Sequence, residues 1–216
     1  MKNPPLQVFR LIENQVKNLN IPWVSKLSFQ DKDPYKILIS CILSLRTKDK
    51  TTSLASQRLF KLASNPYEMG RLPLSIIEKA IYPVGFYRNK AKVIKQISRK
   101  LVRDFKGEVP RDRELLLDFK GIGRKTANLV LGLGFGIACI CVDTHVHRIA
   151  NRIGWVRTSS PLETEKALEK VFPKNFWIKI NTVLAAFGQK ICLPLFPRCK
   201  ECRIKNFCQR RNLKSS

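Results

Sequence analysis

The sequence predicts an all-α fold. Three observations predict it. Apolar residues recur at helical spacing along most of the chain, no run of strict alternation marks a strand, and helix start and stop signals separate the periodic stretches. Hydrophobic residues make up 44% of 216, which suits a globular chain with a sizeable core.

Residues 4–20 place Leu6, Phe9, Ile12, Val16 and Leu19 on one side of a helix. Asp33-Pro34 reads as an N-cap with proline in the first turn, opening an apolar helix to Leu45. A helix over 47–63 resumes after a short break, and one over 74–81 is closed by Pro83. Residues 87–105 form a long basic helix with Lys90, Lys92, Lys95, Arg99, Lys100 and Arg103 along it. Helices over 114–119, 124–133, 144–153, 162–172 and 175–187 complete the set, and short loops imply packed neighbours. From Cys192 onward the chain is rich in Cys, Pro, Lys and Arg and loses the pattern, so it needs a staple to stay ordered.

Lysine and arginine number 41 against 16 acids, a net charge of +25. A field of that sign attracts polyanions and drives counterion release on DNA or RNA. An anionic membrane surface and a lysine-rich surface serving solubility are the rival readings. The longest apolar run, 129–142, contains three glycines and is shorter than the roughly 18 residues a spanning helix needs. The first 20 residues hold no continuous apolar signal segment. The expectation is a cytoplasmic protein with no membrane partner and reduced thiols, in which seven cysteines point to ligation before disulfides.

Four of them, Cys192, Cys199, Cys202 and Cys208, are spaced C-x6-C-x2-C-x5-C. Four thiolates hold iron–sulfur clusters. Zinc also accepts four, but its sites usually pair two C-x2-C knuckles across a longer stretch, and only one such knuckle is present. The spacing therefore favours a cluster over zinc. Arg198, Lys200, Arg203, Lys205, Arg210 and Arg211 around it read either as phosphate contacts or as a solvated tail. Cys41, Cys139 and Cys141 sit in apolar surroundings and read as core.

Phe119-Lys120-Gly121-Ile122-Gly123-Arg124-Lys125-Thr126-Ala127 joins two helical segments. Glycines on either side of an apolar residue permit a tight turn, and the uncapped amides of the next helix offer an anion site for a DNA phosphate. Such a hairpin positions the backbone of DNA without reading its sequence. Lys125 lies in the first turn beyond it. It is either one more phosphate contact, like Arg124, or a nucleophile. The helix N-terminus, the adjacent Arg124 and partial desolvation would all disfavour its ammonium form.

Asp143 opens the helix at 144–153. It reads as an N-cap, a role Asp performs well. In a chain so poor in acids it also reads as a carboxylate that stabilises positive charge developing on a sugar as a base departs. His145 and His147 are the only histidines; one fits a pocket wall and one a structural role.

Three segments together, Gly121-Ile122-Gly123-Arg124-Lys125-Thr126-Ala127-Asn128, then Val142-Asp143-Thr144-His145, then the cysteine spacing, resemble the endonuclease III family of helix-hairpin-helix DNA glycosylases. The resemblance runs from about Leu6 to Cys208. It implies a two-lobed helix-hairpin-helix glycosylase fold, with a helical barrel lobe over 27–137. The second lobe joins 1–26 to 138–216 and carries a [4Fe-4S] cluster on the four tail cysteines. It implies a monomer acting at the nucleoid on double-stranded DNA that holds a damaged base or an abasic site in the cleft. Gly121, Ile122, Gly123 and Arg124 would bind the backbone. Lys125 would attack C1′ of a flipped nucleotide, form a Schiff base and let the strand break by β-elimination, with Asp143 supporting departure of the base. Flipping fits the chemistry, since the attacked carbon is unreachable inside the stack. His145 would contact DNA.

Two further segments are similar to loops that wedge into DNA in this family. Leu43-Ser44-Leu45-Arg46-Thr47-Lys48-Asp49 carries Arg46 where many members have Gln; Arg46 either fills the gap left by the flipped base or contacts phosphate. Val84-Gly85-Phe86-Tyr87 puts Phe86 at a tip, as a wedge or as a core aromatic. Phe119-Lys120 stands where many members have Leu-Pro. Lys125 argues against the adenine-mismatch and thymine-mismatch branches, whose members tend to lack it, and the cluster spacing against the oxidised-guanine branch, which leaves oxidised pyrimidines as the expected substrate. The alternatives are a thymine or uracil mismatch glycosylase, an enzyme that is mainly an abasic-site lyase, and a non-catalytic DNA-binding protein that kept hairpin and cluster.

Overall fold

The structure, a computed structural model, describes residues 4–19 and 21–211. The expected helix end at Asn20 lies outside the described residues. Among the described residues every regular element is helical. The chain divides into two units, Trp23–Ile137 and the pair Met1–Pro22 with Ala138–Ser216. Residues 23–26 group with 27–137 because Trp23 already begins a helix.

In the first unit α3 (Pro34–Ser44) is the central rod. Asp33 caps it, its carboxylate accepting from the amides of Tyr35 and Lys36, and every residue from 37 to 43 is buried. A helix hydrophobic all round must be surrounded. It is: α2 (Trp23–Gln30), α4 (Asp49–Leu62), α7 (Tyr87–Phe105) and α9 (Arg124–Leu129) all pack on it. Tyr35 closes the seam to α7 through a 2.7 Å hydrogen bond with the buried Ser98 hydroxyl. Two short helices, α5 (Pro66–Arg71) and α6 (Leu74–Ile81), brace α7, and α8 (Arg113–Leu117) leads into the hairpin.

Two of these helices escape the periodicity. The α2 segment alternates apolar with polar residues too closely for a stripe. The α5 helix has six residues, although Asn65-Pro66, a cap followed by proline at the first position, marks its start. The helix expected over 124–133 divides into α9 and a π-helical turn, Val130–Gly134. The wider turn seats Gly134 against Pro34, where a Cβ would stand 3.1 Å from the proline ring.

The second unit packs α1 (Pro5–Val16) and α10 (Thr144–Ile153) on α12 (Lys174–Lys190), with α11 (Pro161–Val171) against α10. Phe9, fully buried, meets Phe172 and Phe176 edge-on at 5.7 Å each, and Trp155 closes on Phe172 at 5.0 Å. Such edge-to-face pairs add about 0.5–1.5 kcal/mol each beyond burial.

Candidate functional site

The hairpin is built from below. Phe119 is buried, tilted over Phe105 at 5.6 Å, with the Lys100 ammonium 4.8 Å from its ring. The Ile122 amide turns back to the Phe119 carbonyl at 3.0 Å, and the Ile122 side chain is buried. Ile122 therefore anchors the hairpin from inside and leaves only backbone to a ligand. Gly121 adopts φ +86°, a left-handed conformation that favours glycine, with Val93 where a side chain would start. Gly123 is the N-cap of α9 and supplies no side chain to its first amides. The sequence motif has thus become an uncapped helix start beneath a tight turn.

Lys120 and Lys125 are exposed and Arg124 half-buried. The desolvation expected for Lys125 is therefore not supplied by the protein's own packing. Cys41 on α3 lies within electrostatic reach of Lys125, but burial, the larger influence, pushes its thiol up to about 12. Cys41, Cys139 and Cys141 are all buried core residues, as their surroundings predict.

Arg46 and Phe86 lie on two loops of the same unit. Both are exposed, and both hold left-handed backbone, φ +51° and +58°. The Arg46 guanidinium carbon stands 5.8 Å from the centre of the Phe86 ring. Phe86, 64% exposed, is no core aromatic. One of the cations expected along the basic helix α7 behaves differently. Lys90 is 7% exposed and reaches into the loop that carries Arg46. Its basic side chain masks the one signal that finds it: Lys90 falls in register with the buried stripe Ile94, Ile97 and Leu101.

In the second unit Asp143 is the N-cap of α10. Its Oδ1 accepts from the amides of His145 at 2.9 Å and Val146 at 2.8 Å. Both bonds fall on one oxygen, so the cap does not engage Oδ2. Of the two histidines, His147 is bound into the structure through Thr164 Oγ1 at 2.7 Å. The His145 ring lies against the Gly188 backbone, with Arg148 Nη2 at 3.2 Å from Nδ1.

Cys192, Cys199, Cys202 and Cys208 line one cavity, walled by Ile153, Phe187, Ile191 and Ile204. None forms a disulfide. Burial pushes Cys202 up to about 11 and Cys208 in the same direction, so thiolates there require a cation to stabilise them. The Arg152 guanidinium donates to Cys192 Sγ at 3.4 Å and the Arg210 amide to Cys208 Sγ at 3.4 Å. From α1, Gln15 braces the loop through the Glu201 carbonyl and the Arg203 amide. Among the described residues no three Cys, His, Asp or Glu side chains stand close enough to share a single metal ion. The surrounding cations Arg198, Lys200, Arg203, Lys205, Arg210 and Arg211 are exposed.

An all-helical scaffold with a Gly-x-Gly hairpin, a lysine just beyond it and a four-cysteine tail defines a class of DNA-repair proteins. Residues 39–174 match the model of the HhH-GPD superfamily of base excision DNA repair proteins. Endonuclease III of Thermotoga maritima is 46% identical over 180 residues, covering 83% of this chain and 84% of that one. A solved trapped endonuclease III–DNA covalent intermediate has a TM-score of 0.84 at 32% identity, over 97% of this chain and 96% of its own. A thermostable thymine-DNA glycosylase has a TM-score of 0.81 at 28% identity, over 94% of each. The chain belongs to the endonuclease III family of helix-hairpin-helix base-excision repair enzymes. Its activity class is DNA glycosylase with abasic-site lyase.

Proposed function

We propose that the protein removes oxidised pyrimidines from duplex DNA through a Schiff base on Lys125. The observation that carries this is the place of Lys125: exposed, in the first turn of a helix whose start has no side-chain cap, directly after a Gly-x-Gly hairpin whose geometry suits a phosphate. Gly121, Gly123 and Arg124 grip the backbone, with Ile122 as their internal anchor. The bound duplex supplies the desolvation that the free protein does not. The amine of Lys125 attacks C1′ of the flipped nucleotide, and the bond to the base breaks, the base leaving with its electron pair and a proton. Ring opening gives the C1′ iminium. Loss of a proton from C2′ then expels the phosphate at C3′ and cuts the strand. Asp143, through the oxygen its cap leaves disengaged, stabilises the cationic sugar as the base departs. Arg46 and Phe86 enter the stack where the nucleotide left it, and His145 contacts the DNA.

The four tail cysteines would hold a [4Fe-4S] cluster. They share one largely apolar cavity, and their spacing, with a single C-x2-C knuckle, favours a cluster over zinc. When bound, the cluster supplies a cross-link among four chain positions and an iron–sulfur core. Anaerobically purified protein is expected to contain iron and sulfide; stoichiometric zinc without iron would overturn this assignment. No helix among the described residues is long and apolar enough to cross a membrane. A charge of +25 supports retention on the nucleoid in the cytoplasm.

The test is borohydride trapping on a duplex with one thymine glycol, using wild type and Lys125→Ala. The expected result is a covalent adduct with wild type alone. Binding by both proteins without trapping by either would reduce Lys125 to a phosphate ligand. The same assay on a guanine–thymine mismatch separates the mismatch reading, which the thymine-DNA glycosylase relative favours.

A further inference from the structure

Lys90 is the fourth residue of α7, and its ammonium points back across the unit into the turn that ends α3. Nζ donates to the Leu43 carbonyl at 2.9 Å, to the Leu45 carbonyl and to Thr47 Oγ1 at 3.1 Å. An ammonium has three protons, and these three oxygens take all of them. All three acceptors are neutral. Two of them, Leu45 and Thr47, flank Arg46 directly.

The same hydroxyl ties in the second loop. Thr47 Oγ1 accepts from the Gly85 amide at 3.2 Å and donates to the Leu45 carbonyl at 3.2 Å. Gly85 sits so close to the first loop that a Cβ there would stand 2.8 Å from the Arg46 carbonyl oxygen. Arg46 and Phe86, one residue from each of these contacts, both hold left-handed backbone, which is uncommon outside glycine and persists only where the surroundings impose it. The hydrogen-bond network that joins the two loops has a single charged member, Lys90.

We propose that Lys90 is a positioning residue: it clamps the Arg46 and Phe86 loops to each other through Thr47, so that both side chains enter the duplex together at the site of a missing or flipped nucleotide. The inference rests on the wedge reading of Arg46 and Phe86 given above. Lys90 itself is buried and touches no DNA; it acts through the loops. Burial pushes its ammonium down to about 8, with no carboxylate contributing, as expected for a charge held by carbonyl and hydroxyl oxygens alone.

The experiment compares the affinity of the full protein for two duplexes, one with a tetrahydrofuran abasic analogue and the same one undamaged. The analogue cannot react, so Lys125 chemistry does not enter. The variants are Lys90→Met, Thr47→Val, their combination, Arg46→Ala and Phe86→Ala. Lys90→Met and Thr47→Val are each expected to lower the preference for the abasic duplex by about tenfold or more, with binding of undamaged DNA nearly unchanged, because small displacements of positioned groups are costly. The double variant is expected to be no worse than the poorer single, the non-additivity of a shared network. Additive losses, or equal weakening on both duplexes, would reduce Lys90 to a structural residue. Thr47→Val keeps shape and size, so it decides the matter if Lys90→Met fails to fold. If Arg46→Ala and Phe86→Ala keep the full preference, the wedge reading falls and the clamp with it. If those two lose it while Lys90→Met and Thr47→Val keep it, the clamp alone falls.

Discussion

Lys125 and Lys90 both stand in the first turn of a helix in the same unit, and their surroundings are opposite. Lys125 is the second residue of α9, exposed, beyond a glycine that leaves the helix start without a side-chain cap. Lys90 is the fourth residue of α7, buried, with all three protons directed at oxygens of a neighbouring turn. The difference separates two uses of one side chain. A cation whose donors are all taken cannot reach a substrate and fixes structure. A cation that stays exposed just beyond a glycine-rich turn is the one proposed to serve the chemistry that a bound polyanion creates. Net charge alone conceals this. Arg58 also caps a helix end, donating to the Ala80 and Tyr82 carbonyls, and Lys95 and Arg99 donate to Leu72 and Gly70. Part of the +25 therefore braces the fold from its surface, where helix C-termini offer acceptors.

Removing Lys125 is the most severe test of the contrast. Lys125→Ala is expected to lower strand cleavage at a preformed abasic site by on the order of 10³-fold or more, as for loss of a nucleophile. Gel-shift affinity and thermal stability should stay near wild type, because the side chain is exposed. A large loss of stability would show that Lys125 shares the architectural role of Lys90.

Asp143 combines both roles, which sharpens the comparison. As the cap of α10 it holds two amides; as a carboxylate it is proposed to stabilise a cationic sugar. Asparagine caps a helix about as well as aspartate, so Asp143→Asn separates the two. Single-turnover base release should slow by about 10²-fold, the scale of a lost electrostatic stabiliser, while the melting temperature barely moves. Asp143→Ala should add roughly 1 kcal/mol of destabilisation from the missing cap. A normal rate of base release in Asp143→Asn would leave capping as its whole function.

The sequence made the hairpin and the acid legible because their chemistry is local. Gly121, Gly123 and Lys125 lie within five positions, and Asp143 abuts the helix that it caps. Spacing alone grouped the four tail cysteines, and they do line one cavity. Helices with a clear stripe and a terminal signal, such as Tyr87–Phe105 and Thr144–Ile153, coincide with their periodic stretches to the residue. What escaped was set by contacts distant in sequence. Lys90 looks like its basic neighbours until the turn from Leu43 to Thr47 is packed on it, more than forty positions away. Phe86 could be read as core or wedge because its exposure depends on a left-handed cap that no propensity predicts. The π-helical turn after α9 packs its Gly134 against Pro34, a hundred residues earlier, a contact that no local pattern announces.

The smallest expected effect concerns the buried lysine and the pH dependence of stability. Burial lowers the Lys90 ammonium to about 8 in the folded protein, while the unfolded chain keeps the ordinary lysine value. Between those values the unfolded chain binds more protons than the folded one, so stability rises with pH across that window. At neutral pH the charged form prevails in both states, and the desolvation penalty acts in full; above about 8 the folded protein sheds the proton and the penalty fades. The contribution is on the order of 1–3 kcal/mol at its limit, since a tenfold change in proton affinity corresponds to about 1.4 kcal/mol. Urea unfolding of wild type and Lys90→Met at intervals from about pH 7 to pH 10 reads it as a difference. Wild type should gain relative to the variant as pH rises. Parallel curves would mean that the three oxygen acceptors compensate the buried charge fully. Lys90 would then be a buried cation held by hydrogen bonds with no net electrostatic penalty.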